Sequence, residues 1–250
     1  MSVVALIAAA GLGRRMGSET PKAFLPLGPI PILAHTIKKF DRSPVIDEIV
    51  VLVPPGQFST RTLDMVRELG LTKVSQVLPG GEERQDSVHI GLEAARGRSD
   101  WVLIHDGARP FVPASLIERS VAEVRRWKAV VAALPAFETL KEVSPEKEVL
   151  RTVDRRVLWM IQTPQSFHLK LIFEAYEEAR KDGFQATDDA ALLERKGFPV
   201  RVIEGSRLNF KITTSEDLAL AEALYGHLER QSSSRPEESL RGSPRKGARK

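Results

Sequence analysis

Three short runs in this chain are apolar on consecutive residues instead of alternate ones, and this constrains the fold more than any other feature. They are Val3–Ala10, the Ile-Val-Val-Leu-Val core of Glu48–Val53, and the Val-Leu-Ile of Trp101–His105. A strand with one wet face alternates apolar and polar residues; a strand covered on both faces does not. Segments of helical period separate the runs, at Ile32–Phe40, Thr60–Leu69, Gln85–Arg96 and Ala114–Trp127. This alternation predicts an α/β fold, a doubly wound and mostly parallel sheet with helices on both faces.

The pattern extends with strands expected at Lys73–Leu78, Ala129–Leu134, Leu158–Ile161, Phe198–Ile203 and Leu208–Ile212, and helices at Leu169–Lys181, Asp188–Lys196 and Ser215–Glu229. It breaks between Phe137 and Asp154. There, Glu138–Val143 and Glu148–Val153 flank Ser144-Pro145-Glu146-Lys147, a hairpin signature. The hairpin has too little apolar surface for its own core, so a projecting β-arm over about 137–156 that packs on a partner subunit is the simplest account. One domain is expected over 1–230, followed by a disordered basic tail at 231–250.

Net charge is +4, but the tail alone carries six Lys/Arg against Glu237 and Glu238, so the other 230 residues balance. A neutral body argues against nucleic acid as a partner. The chain has no cysteine, which excludes disulfides and thiolate chemistry, and its five histidines show no metal-ligand spacing. The opening apolar run is too short to cross a bilayer and no positive charge precedes it, so it reads as a core strand, with no membrane role. A cytoplasmic location is expected.

In open parallel sheets ligands bind beyond the carboxyl ends of the strands, so the segments just after each strand are where chemistry is sought. The first carries Gly11-Leu12-Gly13, whose amides can form an anion nest, with Arg14, Arg15 and Lys22 beside it. It fits neither a Walker loop, lacking Gly-Lys-Ser/Thr, nor a dinucleotide fingerprint, since Met16 occupies the third glycine position. The third strand leads into Gly80-Gly81 ahead of a helix start. The fourth ends on His105-Asp106, where a carboxylate could hold Mg²⁺ together with substrate phosphates or cap a turn. Arg109 is read as structural, pairing with loop carbonyls or with Asp86, and His105 as packed and not an acid or base. Taken singly, Arg155 and Lys211 read as solvated charges.

Together, these segments resemble one family. Ala9-Ala10-Gly11-x-Gly13-x-Arg15-Met16 with Pro21-Lys22, Gly80-Gly81-x-x-Arg84-x-x-Ser87-Val88 and His105-Asp106-x-Ala108-Arg109-Pro110 occur in order. Thr152-Val153-Asp154-Arg155, Gln162-Thr163-Pro164-Gln165 and Thr187-Asp188-Asp189-Ala190 follow. The set is similar to the 2-C-methyl-D-erythritol 4-phosphate cytidylyltransferases, in register from about Val3 to Tyr225. The resemblance implies a Rossmann-like nucleotidyltransferase domain, a homodimer clasped by the β-arm, and attack of a polyol phosphate on the α-phosphorus of CTP with release of pyrophosphate.

By that likeness Arg15 and Lys22 are catalytic, and Ala9, Ala10, Gly11, Gly13, Gly81 and Ser87 bind CTP. Asp106, Arg155, Thr163, Thr187 and Lys211 bind the acceptor, with Arg155 and Thr163 delivered by the other subunit. Asp106 is also a candidate ligand for Mg²⁺ or another divalent cation. Ala23 stands where the family often has glutamine, Gly107 where alanine is common, and Glu82 where aspartate is frequent; none of these changes removes a charge the site needs. The same motifs serve transfer to another polyol phosphate such as ribitol 5-phosphate. A nicotinamide-dependent dehydrogenase would need an acidic residue closing the second strand, where Val53 is followed by Pro54-Pro55.

Overall fold

The computed structural model describes residues 1–11 and 20–233. Gly13, Arg14, Arg15 and nearly all of the expected tail lie outside the described residues. Eleven strands are described: β1 (Val3–Ala8), β2 (Pro26–Leu27), β3 (Ile30–Pro31), β4 (Glu48–Val53), β5 (Val74–Pro79), β6 (Trp101–Asp106), β7 (Ala129–Pro135), β8 (Lys141–Val143), β9 (Val149–Thr152), β10 (Trp159–His168) and β11 (Arg201–Glu204). The helices are α1 (Ile32–Asp41), α2 (Gln57–Glu68), α3 (Arg84–Ala95), α4 (Ala114–Trp127), α5 (Leu169–Lys181), α6 (Ala190–Arg195) and α7 (Ser215–Ser233).

Seven strands form one sheet in the order β11-β7-β10-β6-β1-β4-β5. β1 pairs in parallel with β4 and β6, β4 with β5, and β11 with β7, while β10 runs antiparallel between β6 and β7. Two cores follow from the pleat. Val3, Ala5 and Ile7 pack with Leu33, Ile37 and Phe40 of α1 and with Val121 and Val124 of α4. Val4 and Leu6, pointing the other way, pack with Val88 and Leu92 of α3 and with Ile172 and Tyr176 of α5. Consecutive apolar residues are thus both buried, the condition that the unbroken runs implied. Truncating one such side chain, as in Leu6→Ala, should cost about 2–5 kcal/mol.

Two expectations are corrected. Leu208–Ile212 is not a strand. Asn209 is fully buried, and its side-chain amide donates to Thr163 O at 2.7 Å and Gln162 Oε1 at 3.2 Å. Ile212 N donates to Ala108 O. The segment therefore straps past the end of β6 and the middle of β10 through side-chain bonds and an isolated backbone bond, with no ladder of its own. β10 runs to His168, far beyond the expected Ile161. Its polar stretch is buried because partners wait for it: Gln165 Nε2 donates to Asp188 Oδ2 at 2.8 Å, and its Oε1 accepts from Ala190 N at 3.0 Å. The register shifts between Ile161 and Gln165, around Pro164, which cannot donate to the ladder.

The hairpin of β8 and β9 forms within the expected arm, Lys141 pairing with Thr152 and Glu142 with Arg151. Its residues are exposed. β1 ends at Ala8, so Ala9 and Ala10 already belong to the loop, where Ala9 N donates to Leu52 O at 2.8 Å.

Candidate active site

Two cavities open side by side at the carboxyl ends of the parallel strands. The larger, about 750 Å³, is lined in good part by small residues, Ala9, Ala10, Gly11, Gly80, Gly81 and Ser87 among them, together with Phe58, Lys22, Arg84, Asp106 and Lys211. The smaller, about 470 Å³, is lined by Arg84, Asp106, Arg109, Thr163, Thr187 and Lys211, among others. Arg84, Asp106 and Lys211 belong to both walls.

The larger cavity owes its shape to close packing of the loop after β5. A Cβ on Gly80 would come within 2.3 Å of the Ala10 Cβ and 2.6 Å of Ser87 Oγ; one on Gly81 would lie 2.4 Å from the Asp86 Cβ. Ser87 Oγ accepts from Gly81 N at 3.1 Å and donates to Glu83 O at 3.1 Å, tying the loop to the first turn of α3. The helix opens with a capping box in which Asp86 accepts from Glu83 N. The amino end of α3, with its orphan amides and positive pole, thus faces the cavity beside the two glycines, an arrangement suited to an anion.

The smaller cavity is a charge cluster. Asp106, 6% exposed at the tip of β6, is held by three cations: Arg84 Nε at 3.2 Å on Oδ1, with Arg109 Nε at 3.3 Å and Lys211 Nζ at 2.9 Å on Oδ2. Burial opposes its charge, but Arg84, Lys211 and Arg109 together hold its carboxyl well below the usual carboxylate range. Arg109 also donates to Asn209 O at 2.8 Å. The expected loop-carbonyl contact is therefore present, while its carboxylate partner is Asp106 in place of Asp86, which is committed to the α3 cap.

Beneath Asp106, Thr163 Oγ1 accepts from Asp106 N at 3.0 Å and lies 3.1 Å from His105 Nδ1. His105 Nε2 faces Arg109 O at 3.3 Å. A single tautomer satisfies this set: Nε2–H donates to the carbonyl, and Nδ1 accepts from the threonine hydroxyl. Burial drives the His105 pKa down to about 3, so the ring is neutral near pH 7. It packs against Phe40 as a structural floor.

The expected site residues are distributed as follows. Ala9, Ala10, Gly11, Lys22, Gly81 and Ser87 share the larger cavity; Asp106, Thr163, Thr187 and Lys211 share the smaller. Thr163 is not carried on the arm: it lies on β10 beside this chain's own Asp106, which corrects the expectation that a second subunit delivers it. Arg155 lines neither cavity; it sits in a 3-10 turn that follows the β8–β9 hairpin, bonded to Phe137 O. Gly13 and Arg15 lie outside the described residues.

Sequence reasoning passed over Arg84 and Asp189. Arg84 was visible as the arginine after the double glycine. The signal for Asp189, one of two adjacent aspartates, was too weak to assign a role. Arg84 Nη1 and Nη2 each donate to Asp189 at 2.8 Å.

Among the described residues, no group of three or more His, Asp or Glu could hold a metal ion, and no helix is long and apolar enough to cross a membrane. With Arg84, Arg109 and Lys211 already on its two oxygens, Asp106 has room for one further contact, so a divalent cation here would have to be held chiefly by substrate phosphates, the usual manner for magnesium.

The family model for 2-C-methyl-D-erythritol 4-phosphate cytidylyltransferase matches residues 3–227. Proteins of that name from Syntrophotalea carbinolica and Syntrophus aciditrophicus are 46% and 43% identical. These matches cover 89% and 88% of this chain, and 96% and 94% of those proteins. Among solved structures, 4-diphosphocytidyl-2C-methyl-D-erythritol synthase from Anaerococcus prevotii superposes with a TM-score of 0.80 at 32% identity, covering 90% of this chain and 96% of that one. The cytidylyltransferase from Thermus thermophilus does so at 0.74 and 38%, covering 90% and 100%. With loops and strand ends matching the motifs along nearly its whole folded length, this chain belongs to the 2-C-methyl-D-erythritol 4-phosphate cytidylyltransferase family.

Proposed function

We propose that this protein transfers a cytidylyl group from CTP to 2-C-methyl-D-erythritol 4-phosphate, giving 4-diphosphocytidyl-2-C-methyl-D-erythritol and pyrophosphate, a step toward isoprenoid precursors. The observation that carries the reading is the pair of cavities meeting at Arg84, Asp106 and Lys211. One has room and backbone donors for a nucleotide; the other is charged and suited to a phosphorylated polyol.

The acceptor phosphate is ionised near neutral pH and needs no general base. One of its oxygens forms a bond to the α-phosphorus, and the bond from that phosphorus to the bridging oxygen breaks. The electron pair leaves with pyrophosphate. Both reactants are anions, so catalysis reduces to alignment and fixed positive charge. Lys22 stands at the nucleotide cavity to stabilise charge on the triphosphate, a role Arg15 shares by resemblance. Lys211 faces both cavities and orients the acceptor phosphate, with Thr187 also lining the smaller cavity; Thr163, its hydroxyl engaged by Asp106 and His105, shapes the pocket floor. Ala9, Ala10, Gly11, Gly81 and Ser87 enclose the nucleoside, and Gly13 belongs to the same loop by resemblance. Backbone carbonyls accepting from the cytosine amine would be left unpaired by uracil, which favours CTP. Asp106 could share a divalent cation with the triphosphate; when bound, that ion would screen the charge gathering on the leaving group.

The arm supports a homodimer. Val149, Leu150 and Val157 are 60–76% exposed, and Trp159, Met160 and Ile161 are more than 40% exposed beside them. So many exposed apolar side chains are ones that a second copy would cover, and Arg155 would then enter the neighbour's acceptor cavity. Single-domain function over 1–230 and a cytoplasmic setting fit this reading.

The test is pyrophosphate release from CTP and Mg²⁺ with 2-C-methyl-D-erythritol 4-phosphate, compared with ribitol 5-phosphate. Turnover with the first is expected; turnover with the second alone would move the protein to another polyol. Mixed dimers of Arg155→Ala and Lys22→Ala subunits should regain activity at one site of two. Failure to regain it would remove the arm from the active site.

A further inference from the structure

Asp189 belongs to no cavity wall and is 1% exposed, as is its neighbour Tyr176. Yet it is tied to the reaction centre by two bonds in series. Tyr176 on α5 donates its hydroxyl to Asp189 Oδ1, and both carboxylate oxygens take the fork of Arg84 at 2.8 Å. Arg84 spends its remaining Nε–H on Asp106 Oδ1 at 3.2 Å. The arginine is also the first residue of α3, directly after the Gly80–Glu83 loop of the larger cavity, while Asp189 immediately follows Thr187 and Asp188 of the smaller.

We infer that Asp189, steadied by Tyr176, is a positioning residue that fixes Arg84 between two carboxylates and so sets how Asp106 divides itself between Arg84 and Lys211. The inference rests on the cytidylyltransferase reading. Asp106 Oδ1 is held by Arg84, and Oδ2 by Lys211 and Arg109. A carboxylate released on one oxygen turns toward its remaining cations. Loss of the Arg84 contact therefore tightens the hold on Lys211, the cation that must turn to the incoming phosphate. Only a planar fork can satisfy one carboxylate with two parallel bonds and a second with Nε; a lysine ammonium is a point charge and cannot. A mere brace between α3 and α6 would need the Asp189 bonds alone and would leave Asp106 out.

Arg84→Lys, Tyr176→Phe, Asp189→Asn and the double variant Arg84→Lys/Asp189→Asn are compared in the full-length enzyme by steady-state kinetics in both substrates, with thermal midpoints alongside. Asp189→Asn should raise the acceptor KM about tenfold while the CTP KM stays within about twofold; Arg84→Lys, in the wall of both cavities, should raise both KM values, the acceptor's severalfold more. The double variant should be no worse than either single, since neighbours acting as one unit are not additive. Tyr176→Phe should give the Asp189→Asn pattern, weaker. If Asp189→Asn does not fold, Arg84→Lys and Tyr176→Phe carry the test. Wild-type acceptor KM in Arg84→Lys, equal changes in both KM values, or additive losses that track the thermal midpoint would each overturn the inference. A wild-type enzyme without turnover on these substrates overturns the parent reading as well, which separates the two failures.

Discussion

The two cavities share a wall but are built in opposite ways. The larger is shaped by what is missing from its side chains: alanines and glycines let backbone approach a ligand, and a Cβ at Gly80 would collide with Ala10 and Ser87, one at Gly81 with Asp86. The smaller is shaped by charge, with one buried carboxylate holding Arg84, Arg109 and Lys211 in place. Backbone walls recognise an invariant base by shape and hydrogen-bond pattern. Charged walls gather and orient a phosphate, and their cations must be kept apart by a counter-ion until it arrives. On the proposed reading, the difference means that substrate selection and phosphate alignment should be separable by mutation, although the two sites touch.

The largest effect expected from pulling them apart is at Lys22. Lys22→Ala should lower kcat about a hundred- to a thousandfold, some 3–4 kcal/mol of transition-state stabilisation, with the thermal midpoint unchanged. A variant that keeps its rate would take Lys22 out of the mechanism.

The next effect is in the floor of the charged pocket and appears in stability. His105 has a folded pKa of about 3 against an ordinary 6.5. A depressed histidine disfavours the proton in the folded state, so the stability is full above about pH 6.5 and drains as pH falls toward 3. Near pH 5 the loss should be about 2 kcal/mol, measured by denaturant titration across that range. Asp106 adds to it lower down, because its depressed carboxyl pKa contributes stability above about 3.8 that is lost on further acidification. His105→Gln should flatten the curve between pH 6.5 and 5; an unchanged slope would mean the ring titrates as freely in the fold as outside it.

Gly81→Ala sharpens the contrast from the other side. Its Cβ would meet the Asp86 Cβ at 2.4 Å, and overpacking of this sort costs about 1–3 kcal/mol. The CTP KM should rise about tenfold with the acceptor KM little changed. Equal effects on both substrates would show that the cavities are one site energetically. The smallest effect concerns folding of the arm: Leu150→Ser, on an exposed strand, should move monomer stability by no more than about 0.5 kcal/mol. The same change should weaken self-association in analytical ultracentrifugation, and an unaltered dimer would place the interface elsewhere.

Legibility in the sequence followed the same division. The backbone cavity is partly legible locally, since Ala9-Ala10-Gly11 and Gly80-Gly81 each follow a strand, although a glycine-rich turn there can also serve only to turn the chain. Asp106 could be placed at a strand tip, and Lys22 beside the first loop. Arg84 and Asp189 were passed over because each pairs with a residue far along the chain, 22 positions away for Asp106 and 105 for Asp189. Long-range ion pairs leave no periodic trace. β10 misled for a related reason: Gln162, Thr163, Gln165 and Ser166 read as a polar loop, and Pro164 argues against a central strand. Gln162, Thr163 and Gln165 are buried against partners from distant segments, among them Ser206, Asn209, Asp106, Asp188 and Ala190, which no local pattern reveals.

The sequence by itself determined the layered α/β architecture, because runs apolar on consecutive residues can be buried only between two sheets of helices. It also placed glycine-rich and acidic loops at the strand ends and a hairpin near 138–153. The tertiary structure alone decided that β10 enters the sheet antiparallel, and that Thr163 belongs to this chain's own pocket floor. It also decided that Asp106 is a counter-ion for three cations drawn from separate elements. Local periodicity encodes which faces avoid water, whereas the pairing of buried charges depends on where distant segments of the chain come to rest.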